Sequence, residues 1–257
     1  MDKYLLNNGY LIKKNIIDKD FCKDCINYLE NDFEGTKLIM PHTDIPYFYT
    51  DFKKNSIVYK ILENETIKKV VTNVLGEDYK LLWFKIFNKI KFIGQDVEYH
   101  QEIIYNQNSN ITSNYSFQLF LSLDNHNLEN GCLKIVPNSS KNILKHDEFV
   151  DRNGDHKYRV NCDVLTEEIN KNGIVNCIFE PGDCIFFEDT IPHGSASNAS
   201  QNDRYGVSIS FIKKSVKIDT KLRDEKYKER RDKSKNYLNE LISNINKKKT
   251  PKIFVNS

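Results

Sequence analysis

One stretch, residues 186–211, places a histidine and an arginine where their side chains could do chemistry. His193 directly follows Pro192, and Arg204 comes eleven residues later. After Arg204, apolar and small residues alternate, with Tyr205, Val207, Ile209 and Phe211 set against Gly206, Ser208 and Ser210. This period of two predicts a half-buried strand with Arg204 on its polar face. A planar guanidinium on such an uncrowded face suits a carboxylate held through two hydrogen bonds.

A second pair of candidate residues lies upstream, at His100 and Glu102. The segment Glu98–Ile104 predicts a strand, on which residues two apart point to the same side. A histidine close to an anion site suggests a metal, and two histidines with one carboxylate are the ligand set of non-haem Fe(II) oxygenases. His100, Glu102 and His193 are therefore the predicted metal ligands. The spacing alone is not specific, because it recurs in the polar segment His146–Glu148.

The elements that must position these residues predict a mainly β domain with flanking helices, an α+β fold. Helical spacing begins after Asp18 and again at Ile57–Leu75, where Gly76 provides a stop signal. From Tyr79 the segments become short and rich in aromatic and branched residues. Helices followed by many short strands predict a jelly-roll sandwich or barrel with an N-terminal helical layer, its core strands within about 79–212.

Three polar or irregular stretches predict connections outside this core, at residues 36–55, 105–115 and 141–172. The first contains an aromatic cluster and is either a surface loop packed by its own aromatics or a lid over the site. The last is long enough to carry one or two short helices.

Composition excludes several classes of protein. The 257 residues are 39% hydrophobic and 29% charged, near globular averages. A run of about 18 apolar residues is absent, and the first residues lack the apolar region of a signal peptide, so a cytoplasmic protein without a membrane span is expected. The six cysteines have no framework spacing and predict reduced core thiols, including the pair Cys22 and Cys25 on one helix.

Charge is divided unevenly along the chain. The total is +2, but residues 213–257 carry a net +9 and residues 1–212 a net −7. A basic tail can bind nucleic acid, but this one mixes both signs and has an apolar stripe, which favours a solvated charged helix instead. The expected organisation is one domain at 1–212, followed by a basic C-terminal helix and tail at 213–257, and nucleic acid is not the expected partner.

The chain resembles the phytanoyl-CoA dioxygenase-like group of Fe(II)/2-oxoglutarate oxygenases. Four segments carry the resemblance, across most of residues 9–212: GYLIKKNIIDKDF, NKIKFIGQDVEYHQE, SLDNHNLENGCLKIVPNSSK and PGDCIFFEDTIPHGSASNASQNDR. The last is the most specific. The resemblance implies a double-stranded β-helix, or cupin-like, core, with Fe(II), 2-oxoglutarate as cosubstrate and dioxygen.

The resemblance also implies roles for particular residues. Positions that match the family's iron ligands are His100, Glu102 and His193. Arg204 matches the arginine that binds the distal carboxylate of 2-oxoglutarate, and Ser195 matches the serine that assists it.

Two weaker assignments are Lys85 and Gln118, on strands expected to line the cosubstrate pocket. The chain departs from the family pattern at three points. Glu102 stands where Asp is usual, the run Pro137–Ser140 lacks the histidine that usually ends it, and Gln118 replaces a common aromatic residue.

The implied reaction is hydroxylation of a small-molecule metabolite with release of succinate and carbon dioxide. The retained carboxylate of Glu102 argues against halogenation, which needs that metal position empty. Two alternatives stay open: a non-catalytic jelly-roll protein that binds a ligand, and a macromolecule hydroxylase that uses the basic tail. The sequence names neither the substrate nor the oligomeric state.

Overall fold

The computed structural model of the chain describes residues 3–39, 46–105, 116–139, 142–149 and 158–217. The chain divides into a larger compact unit, residues 1–147 and 159–218, and a smaller one, residues 148–158 and 219–257. All helices and strands named below lie in the larger unit, except that Glu148 and Tyr158, the end residues of two short strands, belong to the smaller unit. From residue 218 onward, the predicted basic helix and tail lie outside the described residues.

Antiparallel strands form most of the described fold. They are β1 (Tyr10–Lys13), β2 (Thr36–Ile39), β3 (Pro46–Thr50), β4 (Tyr79–Lys89), β5 (Val97–His100), β6 (Ser116–Ser122), β7 (Leu133–Ile135), β8 (His146–Glu148), β9 (Tyr158–Val160), β10 (Val175–Asn176), β11 (Cys184–Glu188), β12 (His193–Ser195) and β13 (Arg204–Lys213). Seven form a sheet in the order β1-β11-β6-β13-β4-β3-β2, four form a second sheet in the order β10-β7-β12-β5, and β8 pairs with β9. This confirms the predicted jelly-roll class.

Three α-helices precede the long strands, as predicted, and a fourth lies within the polar stretch 141–172, where one or two short helices were expected. They are α1 (Lys3–Asn8), α2 (Lys19–Asn31), α3 (Glu65–Leu75) and α4 (Cys162–Asn172), with 3₁₀ helices at Ile57–Glu63 and Glu102–Tyr105. The side chains of Asp18 and Asn64 accept backbone N–H groups at the starts of α2 and α3. Gly76 ends α3 with a φ of 84°, a conformation that favours glycine.

The larger sheet has two faces with different chemistry. On one face, α2 and α3 pack against alternate residues of β6, β11 and β13 in the main apolar core, among them Leu119, Phe186, Val207 and Ile209. On the other face, Phe120, Ile185 and Phe187 pack with Leu133 and Ile135 of the smaller sheet. Each fully buried aliphatic or aromatic side chain contributes about 1.5–3 kcal/mol. The alternation predicted for β13 is confirmed, since Tyr205, Val207, Ile209 and Phe211 all join the helix-side core.

Two predictions outside the core need correction. The stretch 36–55 is not simply an irregular loop, because β2 and β3 form a hairpin that extends the larger sheet through the pairing of Phe48 with Phe87. The aromatic residues favour a strand here, and Phe48 and Tyr49 are buried. Five of the six free cysteines are buried as predicted, but Cys162 is exposed at the start of α4.

Among the described residues, no helix has both the length and the apolar character needed to cross a membrane.

Candidate metal centre and anion site

The three predicted metal ligands meet at one end of the smaller sheet. His100 ends β5, His193 begins β12, and the two are direct partners across the strands. Glu102 Oε1 lies 3.7 Å from His100 Nε2 and 3.5 Å from His193 Nε2. The donor atoms of all three residues fall within 4.8 Å of one another. Metal bonds to such atoms are about 2.0–2.2 Å long, so donors of one centre lie roughly 3–3.5 Å apart, and this cluster fits with little adjustment.

Backbone carbonyls fix the orientation of both imidazole rings. The Nδ1 atom of His100 lies 2.8 Å from the carbonyl oxygen of Glu98, and that of His193 lies 2.9 Å from the carbonyl oxygen of Ile191. A carbonyl oxygen only accepts, so each Nδ1 carries the proton and donates it. Each Nε2 therefore faces Glu102: it donates to the carboxylate when the ring is protonated, and it offers its lone pair to a metal once the ring is neutral.

Electrostatics favour the ionised form of Glu102 and the neutral form of His193. Burial alone would raise the pKa of the Glu102 carboxyl, but hydrogen bonds and charge from His100 and His193 outweigh it and hold the pKa well below its usual range. Burial, together with the charge of His100, lowers the pKa of His193 below its ordinary value. A carboxylate and a neutral imidazole are the forms that bind a metal.

Glu102 is not on the predicted strand. Strand β5 ends at His100, and Glu102 is the first residue of a 3₁₀ helix. The longer side chain of Glu, compared with the usual Asp, still brings its carboxylate to both histidines from this position. The prediction that both residues share a strand was therefore wrong, although the two side chains do meet.

Gln101, between the two ligands, is completely buried and ties this turn to two other segments. Its side-chain nitrogen donates to the carbonyl oxygens of Thr190 and Asn142, the latter at 3.0 Å. Its side-chain oxygen accepts from the Leu144 N–H at 2.8 Å. The backbone N–H of Gln101 also donates to His146 Nε2 at 3.4 Å, so the second His-x-Glu run lies near the cluster rather than far from it.

The connection from β11 to β12 supports the same turn. The Ile103 N–H donates to the carbonyl oxygen of Asp189 at 3.0 Å, and Ser116 Oγ donates to the Asp189 carboxyl. Burial raises the pKa of Asp189 to about 7, and the negative charges of Glu188 and Glu102 add to this effect. A carboxyl that holds its proton close to neutral pH thus lies beside the ligand turn.

Arg204 provides a buried cation on the inner face of the larger sheet, which is the face turned toward the smaller sheet. It is 4% exposed, and its guanidinium carbon lies 5.7 Å from the centre of the Phe120 ring. Burial lowers its pKa to about 10, so the group stays charged near neutral pH. Within the described chain, Nε and Nη1 of Arg204 have no hydrogen-bond partner. Unpaired buried donors on a cation fit a bound carboxylate, as the alternation predicted.

The packing of Phe120 beside the Arg204 guanidinium depends on a glycine. A Cβ at Gly206 would overlap the end of the Phe120 ring and lie 3.4 Å from Arg204 Nη1. The absence of a side chain at Gly206 therefore leaves room for the ring and the guanidinium side by side.

Lys89 is a second buried cation at this place and was missed by the sequence analysis. It is the direct cross-strand partner of Arg204, and it is 6% exposed. Its Nζ atom donates to Ser195 Oγ at 2.7 Å and to the carbonyl oxygen of Ala196. Ser195 therefore lies near Arg204, because Lys89 contacts Ser195 directly and is the cross-strand partner of Arg204.

The two weaker predictions, Lys85 and Gln118, fall on the same inner face of the sheet. Lys85 pairs with Ser208 on β13, and its Nζ lies 5.2 Å from the Phe48 ring centre. Gln118 on β6 is buried and donates to Ser210 Oγ at 3.1 Å. Their strand positions are as expected, while a role in binding the cosubstrate stays a prediction.

A family model described as phytanoyl-CoA dioxygenase (PhyH) matches residues 42–206, about two thirds of the chain. The chain belongs to this family. The matched range of the PhyH domain contains the three clustered ligands and Arg204.

Relatives of this PhyH protein include mammalian proteins. It is 22% identical over 233 residues to peroxisomal phytanoyl-CoA dioxygenase from Bos taurus, a match that covers 81% of this chain and 66% of that protein. The corresponding protein from Mus musculus is 24% identical over 228 residues, with the same coverage. The chain thus spans just under two thirds of the length of these relatives.

Solved structures share the fold of this PhyH protein. EctD from S. alaskensis, in a crystal structure with 2-oxoglutarate and 5-hydroxyectoine, superposes with a TM-score of 0.68 at 17% identity, over 84% of this chain and 76% of that one. EvdO2 from Micromonospora carbonacea var. aurantiaca, complexed with 2-oxoglutarate, gives a TM-score of 0.64 at 15% identity, over 84% and 91%. At these identities the likeness concerns the fold.

Proposed function

We propose that this PhyH family member is an Fe(II)- and 2-oxoglutarate-dependent dioxygenase that hydroxylates a small-molecule metabolite and releases succinate and carbon dioxide. One observation carries the proposal: a cluster of two histidines and one carboxylate occurs together with a buried arginine whose donors are unpaired within the described chain. Either feature alone has a structural explanation. Their joint occurrence in a PhyH fold is what an oxygenase of this type requires.

In the proposed centre, His100, Glu102 and His193 hold the iron. The neutral Nε2 atoms and the Glu102 carboxylate supply the three protein ligands, and the remaining metal positions serve cosubstrate and dioxygen. Bound Fe(II) with 2-oxoglutarate supplies the activation of dioxygen, a chemistry that no side chain can provide. The protein's contribution is to keep these ligands oriented, deprotonated and dry.

Orientation of the cosubstrate falls to the inner face of the larger sheet. Arg204 binds the distal carboxylate of 2-oxoglutarate through its unpaired Nε and Nη1 groups, and Ser195 adds a hydroxyl. Phe120 beside Arg204 and Phe187 beside His193, the latter with ring centres 4.8 Å apart, exclude water from both ends of the site. A dry site strengthens each of these polar contacts.

The ligands bound in neighbouring structures support this assignment. The EctD structures were determined with bound Fe and with 2-oxoglutarate and 5-hydroxyectoine, and EvdO2 was determined with 2-oxoglutarate. Those ligands belong to those proteins. They favour iron, 2-oxoglutarate and a small organic substrate for this chain, because the fold that presents the ligands is shared.

The test is an anaerobic titration of Fe(II) and then 2-oxoglutarate into the metal-free protein, monitored by the visible charge-transfer band of the chelated complex. Wild type should develop the band, His193→Ala should abolish it, and Arg204→Met should shift it to much higher 2-oxoglutarate concentration. Lys23→Met and Lys69→Met are controls, since both lysines are exposed on the helices α2 and α3, on the other face of the larger sheet, and both variants should retain the band.

Turnover separates an enzyme from a binding protein. On admission of air, the wild-type complex should convert 2-oxoglutarate to succinate, and the rate should rise with the correct substrate. A protein that forms the band but never produces succinate would be a ligand-binding jelly roll. If the wild-type protein bound no Fe(II), the oxygenase proposal would be wrong.

A further inference from the structure

Lys89 has an unusual environment for a lysine. Its ammonium group is buried against Ser195 Oγ and the carbonyl oxygen of Ala196, and among the described residues no carboxylate lies within ion-pair distance of it. Burying an ammonium group without an ion-pair partner is costly, so such lysines are rare.

A second cation increases this cost. Arg204 is the cross-strand partner of Lys89 and is equally enclosed. Burial, and after it the charge of Arg204, lowers the pKa of Lys89 well below its usual value, although Asp96 and Cys132 act in the opposite direction. Two adjacent buried cations become favourable together only when an anion joins them. The pair thus defines a place for a carboxylate.

The contact with Ser195 has a defined direction. A lysine ammonium has donors and no acceptor, so Ser195 Oγ accepts from Lys89. The hydroxyl hydrogen of Ser195 is then available to donate elsewhere. Without Lys89, that hydroxyl could instead turn to donate to a nearby carbonyl and would be lost to a ligand.

We propose that Lys89 is a positioning residue for the distal carboxylate of 2-oxoglutarate, holding the Ser195 hydroxyl as a donor to the carboxylate that Arg204 binds. This inference rests on the proposed function. Lys89 adds positive charge and sets the direction of the serine hydroxyl, but it acts through Ser195 and not on the metal. The distal-carboxylate site then comprises Lys89, Ser195 and Arg204, drawn from three different strands.

A purely structural role makes different predictions. The Lys89 carbonyl accepts from Asn198 Nδ2 at 2.7 Å, and its ammonium group donates to Ala196, so the residue also fastens the segment after β12. If Lys89 were only a fastener, its loss would lower stability and weaken every ligand alike. A positioning role instead affects only ligands that carry the distal carboxylate.

The experiment compares two 2-oxo acids that share the metal-binding head. Dissociation constants for 2-oxoglutarate and for 2-oxobutyrate, which lacks the distal carboxylate, are measured on the Fe(II)-loaded protein without oxygen. Variants are Lys89→Met, Ser195→Ala, the double variant, and Lys91→Met as a control, because Lys91 is exposed in the turn after β4. Fe(II) affinity and the thermal unfolding midpoint are recorded for each.

Lys89→Met should weaken 2-oxoglutarate binding about 10- to 100-fold, the size of one hydrogen bond to a charged group. Binding of Fe(II) and 2-oxobutyrate should stay within about twofold of wild type. The double variant should bind 2-oxoglutarate no more weakly than Lys89→Met alone, because Lys89 acts through Ser195. Should Lys89→Met not fold, Lys89→Gln tests the same point: its amide keeps a donor but loses the charge, and 2-oxoglutarate binding should weaken while 2-oxobutyrate binding stays within about twofold of wild type.

Three outcomes would overturn the inference. Lys89→Met could bind 2-oxoglutarate as well as wild type, it could lose affinity for both 2-oxo acids equally, or the losses from Lys89 and Ser195 could add fully. A wild-type protein that binds Fe(II) but neither 2-oxo acid would instead refute the proposed function and this inference with it. Failure of the inference about Lys89 can therefore be distinguished from failure of the proposed function.

Discussion

Replacing Gln101 with methionine tests whether this residue holds the ligand turn. Methionine has nearly the same volume but cannot make the three side-chain hydrogen bonds to Thr190, Asn142 and Leu144. At about 1 kcal/mol net for each bond, the free energy of unfolding should fall by about 3 kcal/mol. For a domain of this size, the loss corresponds to a decrease of roughly 6–12 °C in the midpoint of thermal unfolding.

The same change should weaken Fe(II) binding, because His100 and Glu102 flank Gln101 on either side. The assay combines urea unfolding of the metal-free protein with Fe(II) titration. Gln201→Met is the matched control, since Gln201 is exposed before β13 and should change stability by less than about 0.5 kcal/mol. If Gln101→Met unfolded with the same free energy as wild type, these hydrogen bonds would not be what holds the turn.

Three further perturbations address the site. Glu102→Asp shortens the ligand's reach by one methylene, so Fe(II) affinity measured by titration should fall by about tenfold or more; unchanged affinity would mean that the turn adapts freely. Gly206→Ala places a methyl group against the Phe120 ring and 3.4 Å from Arg204 Nη1, so 2-oxoglutarate affinity should fall about tenfold while Fe(II) affinity stays constant. Equal losses for both ligands would contradict this. The buried Asp189 carboxyl, with its pKa raised to about 7, contributes stability that is present below pH 4 and lost as pH rises toward 7. Metal-free Asp189→Asn should therefore lose less stability than wild type between pH 5 and pH 8, by on the order of a few kcal/mol in urea unfolding, and parallel pH profiles would refute that assignment.

The sequence predicted those features that repeat with a simple period or stand close together in the chain. The alternation after Arg204 determined which residues of β13 face the helices, because a strand turns successive side chains to opposite sides. The caps at Asp18 and Gly76 follow from local backbone chemistry in the same way. The metal ligands were found from residue type, spacing and family resemblance, and the structure brings all three together.

Features that depend on pairing between distant strands could not be predicted. Lys89 lies among other lysines in the segment 85–91, and only its register with Arg204 distinguishes it from solvent-facing neighbours. The 3₁₀ turn at Glu102 depends on Gln101 contacts to segments about 40 and 90 residues away. The hairpin β2–β3 was missed because Pro41 and Pro46 read as breaks, whereas burial of Phe48 favours the strand.

The two-faced construction of β13 and β6 has an evolutionary consequence. Odd-numbered positions such as Leu119, Val207 and Ile209 belong to the core under the helices, while even-numbered positions such as Gln118 and Ser208 face the smaller sheet. Mutations that alter the chemistry of the inner face therefore need not disturb the residues that keep the domain folded. Selection can change ligand preference and stability through separate residues of the same strand, so such a scaffold can diversify in function without first losing its fold.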